Sequence, residues 1–450
     1  MPQEQEWIYT RPITIERKFL RRPNCNIITI YRLEGELLKI QVESAIIRLG
    51  KKHPLLFAHI EFNNENQPIF KCKSNINIPI IDIYAQTSSE WISVIEQEHS
   101  HYFPLDIGPL SRIILVHFQK QCDLILNCHH LISDGLSCTF VVKDLLDYIE
   151  NPNKIQLSIA DPPLSTQNIP VSVKLSWKLQ IMTKLIRKLS QKYPYTFTEA
   201  QFRDLHKKYW TSLSFEPLFV PIQLSPDDTQ LIIKACKKHQ VSVNSFLNTA
   251  FMRTCQILFG NKKSYLHDLG SPVNVRDRFK VPVGGQLGLF ASGIITKFIY
   301  QKKEPFWTNA TQLNAKIRDL IGSDKSLWEI FYYMAQMNHS ILDTLYFVAY
   351  NGLSIPPLNR YIPLIRRIGS CTAIDNLGKF AFPLSYRAYK IYAIYSNVFF
   401  SNMVQLLIGV ITVGTQMCFA LTYSPNLISQ DLIMKIWQST YKNIIEVCQN

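Results

Sequence analysis

His129-His130-Leu131-Ile132-Ser133-Asp134-Gly135 decides the reading of this 450-residue chain. With 11 His and 16 Gly available, chance produces the pattern HHxxxDG roughly once in a few thousand such chains. Upstream, residues 111–118 (SRIILVHF) are a β-rich run, 119–122 (QKQC) read as a turn, and 123–128 (DLILNC) are a second short apolar run, a pattern that predicts a hairpin. Downstream, Leu136, Phe140, Val141, Leu145, Tyr148 and Ile149 recur at helical spacing. The motif therefore falls where a strand ends and a helix begins. Side chains alternate along a strand, so His129 and His130 should point to opposite faces. If the alternation reaches that far, His130 shares the face of Leu124, Leu126 and Cys128. One histidine can then look into a cavity while the other packs behind it. Neighbouring strand residues cannot easily share a metal ion, and no third ligand stands nearby at metal spacing, so no metal is expected.

A neutral imidazole suits removal of a proton from an alcohol, thiol or amine, which makes His130 the candidate general base. Asp134 stands in the turn, where a carboxylate more often has a structural role. Gly135 allows a tight backbone or a close approach at the helix start.

Composition sets outer bounds. Hydrophobic residues at 47% and charged residues at 18% describe a folded chain long enough for two or more domains. The ten cysteines are scattered, with no CxxC pair, so reduced thiols and a cytoplasmic setting are the simplest reading. The polar start MPQEQEWIYTRP has no apolar core, so no signal peptide is expected. Residues 391–430 carry no Asp, Glu, Lys or Arg, and 403–423 would be long enough to span a bilayer. Asn402, Gln405, Thr412, Thr415, Gln416 and Thr422 interrupt that stretch, and Gly409, Gly414 and the β-branched residues favour buried sheet instead. The net charge of +14 attracts anionic partners. With no nucleic-acid module recognisable, nucleic acid is not expected as a partner.

The chain divides into an N-terminal half (1–155), a linker (156–214) and a C-terminal half (215–450). Asn151-Pro152-Asn153 ends the helix after the motif, and a loop with Pro162, Pro163 and Pro170 follows. Residues 171–192 hold six Lys or Arg and no acid, with Leu175, Leu179, Met182, Ile186 and Leu189 on one helical face. Three readings stay open for that segment: a linker helix packed on the body, a peripheral membrane contact, or a docking face for an acidic carrier domain. Ser225-Pro226-Asp227-Asp228 predicts a helix start, with a cap, proline in the first turn and acids behind it. Further helices are expected from 241–247 onward and over about 429–447.

The heptapeptide is that of the condensation-domain and acyl-CoA-dependent acyltransferase superfamily, and the whole chain resembles that superfamily. Phe103-Pro104-Leu105-Asp106-Ile107-Gly108-Pro109-Leu110-Ser111-Arg112 resembles its FDL..GPL.R segment. Ser271-Pro272-Val273-Asn274-Val275-Arg276 with Gly288-Leu289-Phe290, Asp375-Asn376-Leu377-Gly378, and His53-Pro54-Leu55-Leu56 resemble further stretches of it, in the same order. The nearest likeness is to polyketide-associated acyltransferases of the phthiocerol dimycocerosyl transferase type and to alcohol acetyltransferases. The resemblance implies an α/β (α+β) fold: two chloramphenicol-acetyltransferase-like αβ sandwich halves forming a V, with the site in a tunnel between them.

The resemblance also implies transfer of an acyl group from a thioester to a hydroxyl acceptor, in lipid or secondary-metabolite biosynthesis, with His130 as base and His129 beside it. The alternatives are a free-standing condensation enzyme that forms an amide, or a non-catalytic module that recruits partners. No bound cofactor is expected. Acyl-CoA or a phosphopantetheine-linked acyl thioester is the co-substrate, an acidic acyl carrier protein is a candidate partner, and a small alcohol or amine is the acceptor. Asp134 and Arg276 are expected to form a structural pair, and Asn376 and Asn274 are candidate oxyanion or substrate contacts. Two features depart from the family pattern. Asp375 stands where Ser is usual, and the DFGWG element of plant-type relatives is absent. There is no GxSxG nucleophile elbow. The two-half fold is consistent with a monomer.

Overall fold

The computed structural model describes residues 8–64, 67–153, 168–169, 174–192, 198–213, 217–260, 268–281, 283–336, 339–350, 353–355, 359, 362, 371–398 and 404–449. It has two sheet-containing lobes, as the resemblance implied.

The first sheet is built from β2 (Asn26–Gly35), β5 (Ile80–Tyr84), β6 (Ser111–Phe118), β7 (Gln121–His129) and β12 (Tyr389–Val398), in the order β12-β2-β7-β6-β5. The predicted hairpin is β6–β7. Its turn is tighter than the sequence suggested, because Gln119 takes φ 53° and two residues suffice. Gln121 and Cys122 therefore join the ladder opposite Phe118 and His117. β7 is buried along nearly its whole length, as a central strand covered on both faces must be. Helix α1 (Lys39–Lys52) packs on α3 (Gly135–Glu150), the helix predicted to follow the motif, and α2 is Glu90–Glu98. A small sheet of β1 (Ile8–Pro12), β4 (Pro68–Lys73) and β3 (Ala58–Phe62), in the order β1-β4-β3, flanks this lobe.

The second sheet contains β8 (Leu218–Gln223), β9 (Asp268–Asn274), β10 (Ala291–Lys297), β11 (Cys371–Lys379), β13 (Val404–Val413) and β14 (Gln416–Tyr423), ordered β10-β9-β11-β13-β14-β8. Helices α6 (Pro226–Lys238), α7 (Val243–Phe259) and α11 (Gln430–Gln449) pack together against it. The predicted start of α6 is present: the Ser225 hydroxyl accepts from the Asp228 backbone N–H at 3.1 Å. Helices α8 (Phe306–Gly322), α9 (Asp324–Gln336) and α10 (His339–Tyr350) complete this half.

The charge-free stretch after residue 390 supplies most of β12 and all of β13 and β14, so the apolar part singled out from the sequence is sheet from Val404 to Tyr423 apart from its turn; Asn402 and Met403 lie outside the described residues. Among the described residues no helix is long and apolar enough to cross a membrane. One connection was not foreseen. β12 comes from the C-terminal part of the chain yet pairs with β2, from Tyr389↔Gly35 to Val398↔Ile27. The two sheets approach so closely there that a Cβ on Gly409 would collide with the Ser396 carbonyl oxygen.

Of the basic segment, α4 (Trp177–Lys192) is a helix, and α5 (Glu199–Leu213) follows. Leu175 is buried, whereas Trp177, Ile181 and Leu185 are exposed beside Lys184, Arg187 and Lys188. Pro162, Pro163 and Pro170, and the side chains of Leu179, Met182, Ile186 and Leu189, lie outside the described residues.

Candidate active site

His129 closes β7, and the chain turns at once into α3, so the two histidines straddle a strand end. Their partners divide them. The His130 Nδ1 lies 2.7 Å from the Ser133 carbonyl oxygen. A carbonyl only accepts, so Nδ1 must carry the proton and the ring's acceptor lone pair is on Nε2. The ring is stacked on Phe19, with centroids 3.9 Å apart and planes 18° apart. His129 has the opposite tautomer. Its Nδ1 accepts from the Leu131 backbone N–H at 3.2 Å, and its Nε2 lies 3.2 Å from the Cys25 Sγ. Both ring nitrogens of His129 are therefore occupied inside the protein.

Burial, helped by the cations Lys18 and Arg22, holds the His130 pKa down at about 3. Burial and the neighbouring histidines do the same to His129. Both rings are consequently neutral through the physiological range, the state that can accept a proton. Lys18 itself is pushed down to about 8 by burial and Arg22, and its ammonium lies 4.9 Å from the centre of the Phe19 ring. Phe19, Lys18 and Arg22 were not predicted. They come from the 3-10 turn Ile15–Phe19 and the residues after it, a stretch with no motif spacing to announce them.

Asp134 caps α3. Its Oδ1 accepts from the backbone N–H and the hydroxyl of Ser137, both at 2.7 Å, and its Oδ2 accepts from the Phe290 backbone N–H at 2.6 Å. Arg276 lies 3.6 Å from the same carboxylate. It also donates to the carbonyls of Gly284 (2.9 Å) and Gln286 (3.0 Å), and to the Ser137 hydroxyl. Both members are almost fully buried. The sequence thus anticipated the pair but not Ser137, which sits between its members. At Gly135 a Cβ would come within 3.3 Å of the Ser396 hydroxyl and 3.4 Å of Leu377, so the small residue lets the second lobe approach the start of α3. His53 is a further staple: its Nε2–H donates to Asp144 at 2.8 Å, and its Nδ1 accepts from the Leu287 backbone N–H at 3.0 Å.

Asn274 and Asn376 both cap loops through Oδ1, which accepts from the Arg276 N–H at 3.1 Å and from the Gly378 N–H at 2.9 Å respectively. Their amide N–H groups remain as donors. A cavity of about 140 Å³ at the lobe junction brings Asp134, Gly135, Asn274, Asp375 and Asn376 together. His130 lies outside that cavity lining. Among the described residues no group of three His, Cys, Asp or Glu could hold a metal ion.

The comparisons agree with this architecture. Residues 16–162 match the condensation-domain family model. Gramicidin S synthase 2 of Aneurinibacillus migulanus is 31% identical over 121 residues, which cover 27% of this chain and 3% of the synthase. The chain thus matches only a small fraction of that relative's length. Among solved structures, the trichothecene 15-O-acetyltransferase TRI3 of Fusarium sporotrichioides superposes with a TM-score of 0.67 at 12% identity, covering 98% of this chain and 95% of the other. The first condensation domain of the calcium-dependent antibiotic synthetase, bound to a substrate analogue, also gives 0.67, at 11% identity with 98% and 97% covered. The chain has the condensation-domain, chloramphenicol-acetyltransferase-like fold.

Proposed function

We propose that the protein is a condensation-type catalytic module. It moves an acyl group from a pantetheine-linked thioester, on coenzyme A or a carrier protein, to the amine of a small acceptor. The observation that carries this reading is the His130 tautomer: Nδ1–H donates to the Ser133 carbonyl, so the lone pair that can take a proton is on Nε2. In the reaction the acceptor nitrogen attacks the thioester carbonyl and a C–N bond forms. His130 Nε2 receives the proton the nitrogen sheds. The tetrahedral intermediate expels the thiolate as the C–S bond breaks, and the imidazolium returns the proton to sulfur. No covalent acyl-enzyme is needed. A negative charge developing next to the ring during the reaction would favour the imidazolium and so raise the low basicity of the buried His130.

In this reading His129 holds the motif to Cys25, while Asp134 and Arg276 hold the two lobes in register. The amide N–H groups of Asn376 and Asn274 are the available side-chain donors toward an oxyanion from the second lobe. An acidic carrier protein suits a chain of net charge +14. Amide formation is placed first because the family match is to the condensation domain and the 31%-identical relative is a gramicidin synthase. Ester formation is the second reading, favoured by the equal structural likeness to a 15-O-acetyltransferase.

The test is acyl transfer followed by intact mass, with acyl-CoA and acyl-carrier thioesters offered to mixed amines and alcohols. His130→Ala should lose a factor of about 10²–10⁴ in rate, and the new bond type chooses between amide and ester. Unchanged transfer by His130→Ala would remove the base from the mechanism.

A further inference from the structure

The basic helix α4 has no part in the acyl-transfer reading, yet it presents two different faces. The inner face is held to the body. Leu175 and Thr183 are buried, the Ser176 backbone N–H donates to Glu329 of α9 at 3.1 Å, and α4 packs on α9 and α10. The outer face carries Trp177, Ile181 and Leu185, which are 67%, 49% and 50% exposed. Four-residue intervals put the three in one row along the helix. Single exposed apolar side chains are ordinary on a protein surface. A row of three large ones, on a helix whose other face is already packed, does nothing for the fold.

Cations interleave with that row. On a 3.6-residue repeat Lys184 and Lys188 each fall within about 20° of Trp177, and Arg187 flanks them. All three cations are exposed. Residues 171–192 hold six Lys or Arg and no Asp or Glu. Like charges four residues apart, as Lys184 and Lys188 are, repel along a helix, so an anionic surface laid against this face stabilises it. That surface must offer negative charge and an apolar layer within one side-chain length. An acidic protein offers the charge but folds most of its large apolar side chains inward. A leaflet of anionic lipids offers both, with acyl chains about 5–10 Å beneath the headgroups, the depth to which interfacial helices sink. Indole suits that boundary, having an apolar ring and one polar N–H. With 16 residues α4 lies along such a surface, and among the described residues no helix is long and apolar enough to cross one.

We propose that α4 binds the protein to anionic lipid surfaces as a peripheral membrane helix. Trp177, Ile181 and Leu185 enter the headgroup layer, and Lys184, Arg187 and Lys188 meet the lipid phosphates and carboxylates. The helices α9 and α10 beneath α4 also pack on the 3-10 turn Ile15–Phe19, whose last ring is stacked on His130. One layer of helices therefore joins the membrane-bound face to the turn beside the candidate base.

The experiment is flotation of the 450-residue protein with vesicles of phosphatidylcholine alone and with vesicles of equal phosphatidylcholine and phosphatidylserine, at low salt. The anionic vesicles should bind at least about tenfold more tightly. Lys184→Gln with Lys188→Gln should lose roughly 10- to 30-fold, at about fivefold per cation. Trp177→Ser with Ile181→Ser should weaken binding by at least about tenfold at an unchanged melting temperature. Lys237→Gln with Lys238→Gln removes the same charge from another exposed site, on α6, and should change binding by less than about twofold, because surface charges act over roughly a Debye length. Equal binding to the two vesicle types, or an equal loss in the α6 control, would overturn the assignment. So would unchanged binding by a folded Trp177→Ser, Ile181→Ser protein. Capture of an acidic acyl carrier protein that Lys184→Gln with Lys188→Gln abolishes, without any vesicle binding, would give this face to a protein partner instead.

Discussion

The two sides of the lobe junction treat their polar groups in opposite ways. Around α3, Asp134, Ser137 and His53 of the first lobe and Arg276 of the second form a network in which each group reaches a partner across or along the junction. On the β11 side, Asp375 faces the same space with no partner among the described residues. A satisfied buried network rigidifies and fixes register, whereas a half-buried carboxylate beside another anion is unfavourable to the resting protein.

Breaking the satisfied side should have the larger effect. Asp134→Ala strips the cap from α3 and leaves Arg276 buried without its anion, a change worth on the order of 3–5 kcal/mol. Urea denaturation should show that loss. Arg276→Met should cost a similar amount, and the double variant less than the sum, because both singles break the same pair. An Asp134→Ala protein that unfolds at the wild-type midpoint would contradict the structural role.

Acid separates the two sides by sign. His99, His129 and His130 are held down at about 3 by burial, and His206 at about 4. Unfolded histidine titrates near 6.5. Between those values the unfolded chain binds more protons, so stability is full above roughly pH 6.5 and is lost as the pH falls toward 3. Each such proton contributes a slope of up to about 1.4 kcal/mol per pH unit. Asp375 works against this trend. Its raised pKa means that the folded protein holds a proton the unfolded chain has already released, so its own contribution falls as the pH rises toward 6. With His101 also held down at about 3 by burial, five histidines outweigh one aspartate. A melting temperature that drops steeply below pH 6.5, and drops more steeply in Asp375→Asn, is the expected result. A flat profile from pH 7 to 4 would show that the rings titrate normally.

The staple tests a smaller part of the same network. His53→Ala leaves the Asp144 oxygen and the Leu287 N–H without their ring partner inside the protein, for about 1–3 kcal/mol. If His53→Ala is neutral in denaturation, the lobes do not depend on this bridge.

How far the sequence could be read follows the same division. The hairpin, the capped α3 and the start of α6 were legible because each is announced by local spacing. Asp134 and Arg276 were legible through the resemblance, though Ser137 between them was not. Residues 389–398 look like a strand but do not say which sheet they join, since an apolar run satisfies either. Pairing of β12 with β2 depends on where the second lobe carries the chain. Asn274 and Asn376 looked alike as donors, and only the structure shows that each already spends its Oδ1 on a loop. The surroundings of His130 were illegible for a further reason. Phe19, Lys18 and Arg22 lie more than a hundred residues upstream, in a basic run that reads from sequence as solvated surface.

Phe19 supplies the smallest and most specific test. Its ring covers one face of His130 at 3.9 Å and carries the nearby Lys18 and Arg22 cations at 4.9 and 5.6 Å from its centre. Stacking of this kind is worth about 0.5–1.5 kcal/mol beyond the area it buries. Phe19→Leu keeps an apolar wall but removes the flat surface that orients the imidazole, so kcat should fall by roughly 2- to 13-fold with little change in KM. The Ser133 carbonyl still fixes the tautomer, so the direction of proton transfer is unaffected. A fall in kcat that Phe19→Tyr largely restores, at an unchanged melting temperature, identifies Phe19 as a positioning residue that acts through His130. An equal loss in Phe19→Tyr and Phe19→Leu would show instead that the ring only fills space, and that the carbonyl alone holds the base in place.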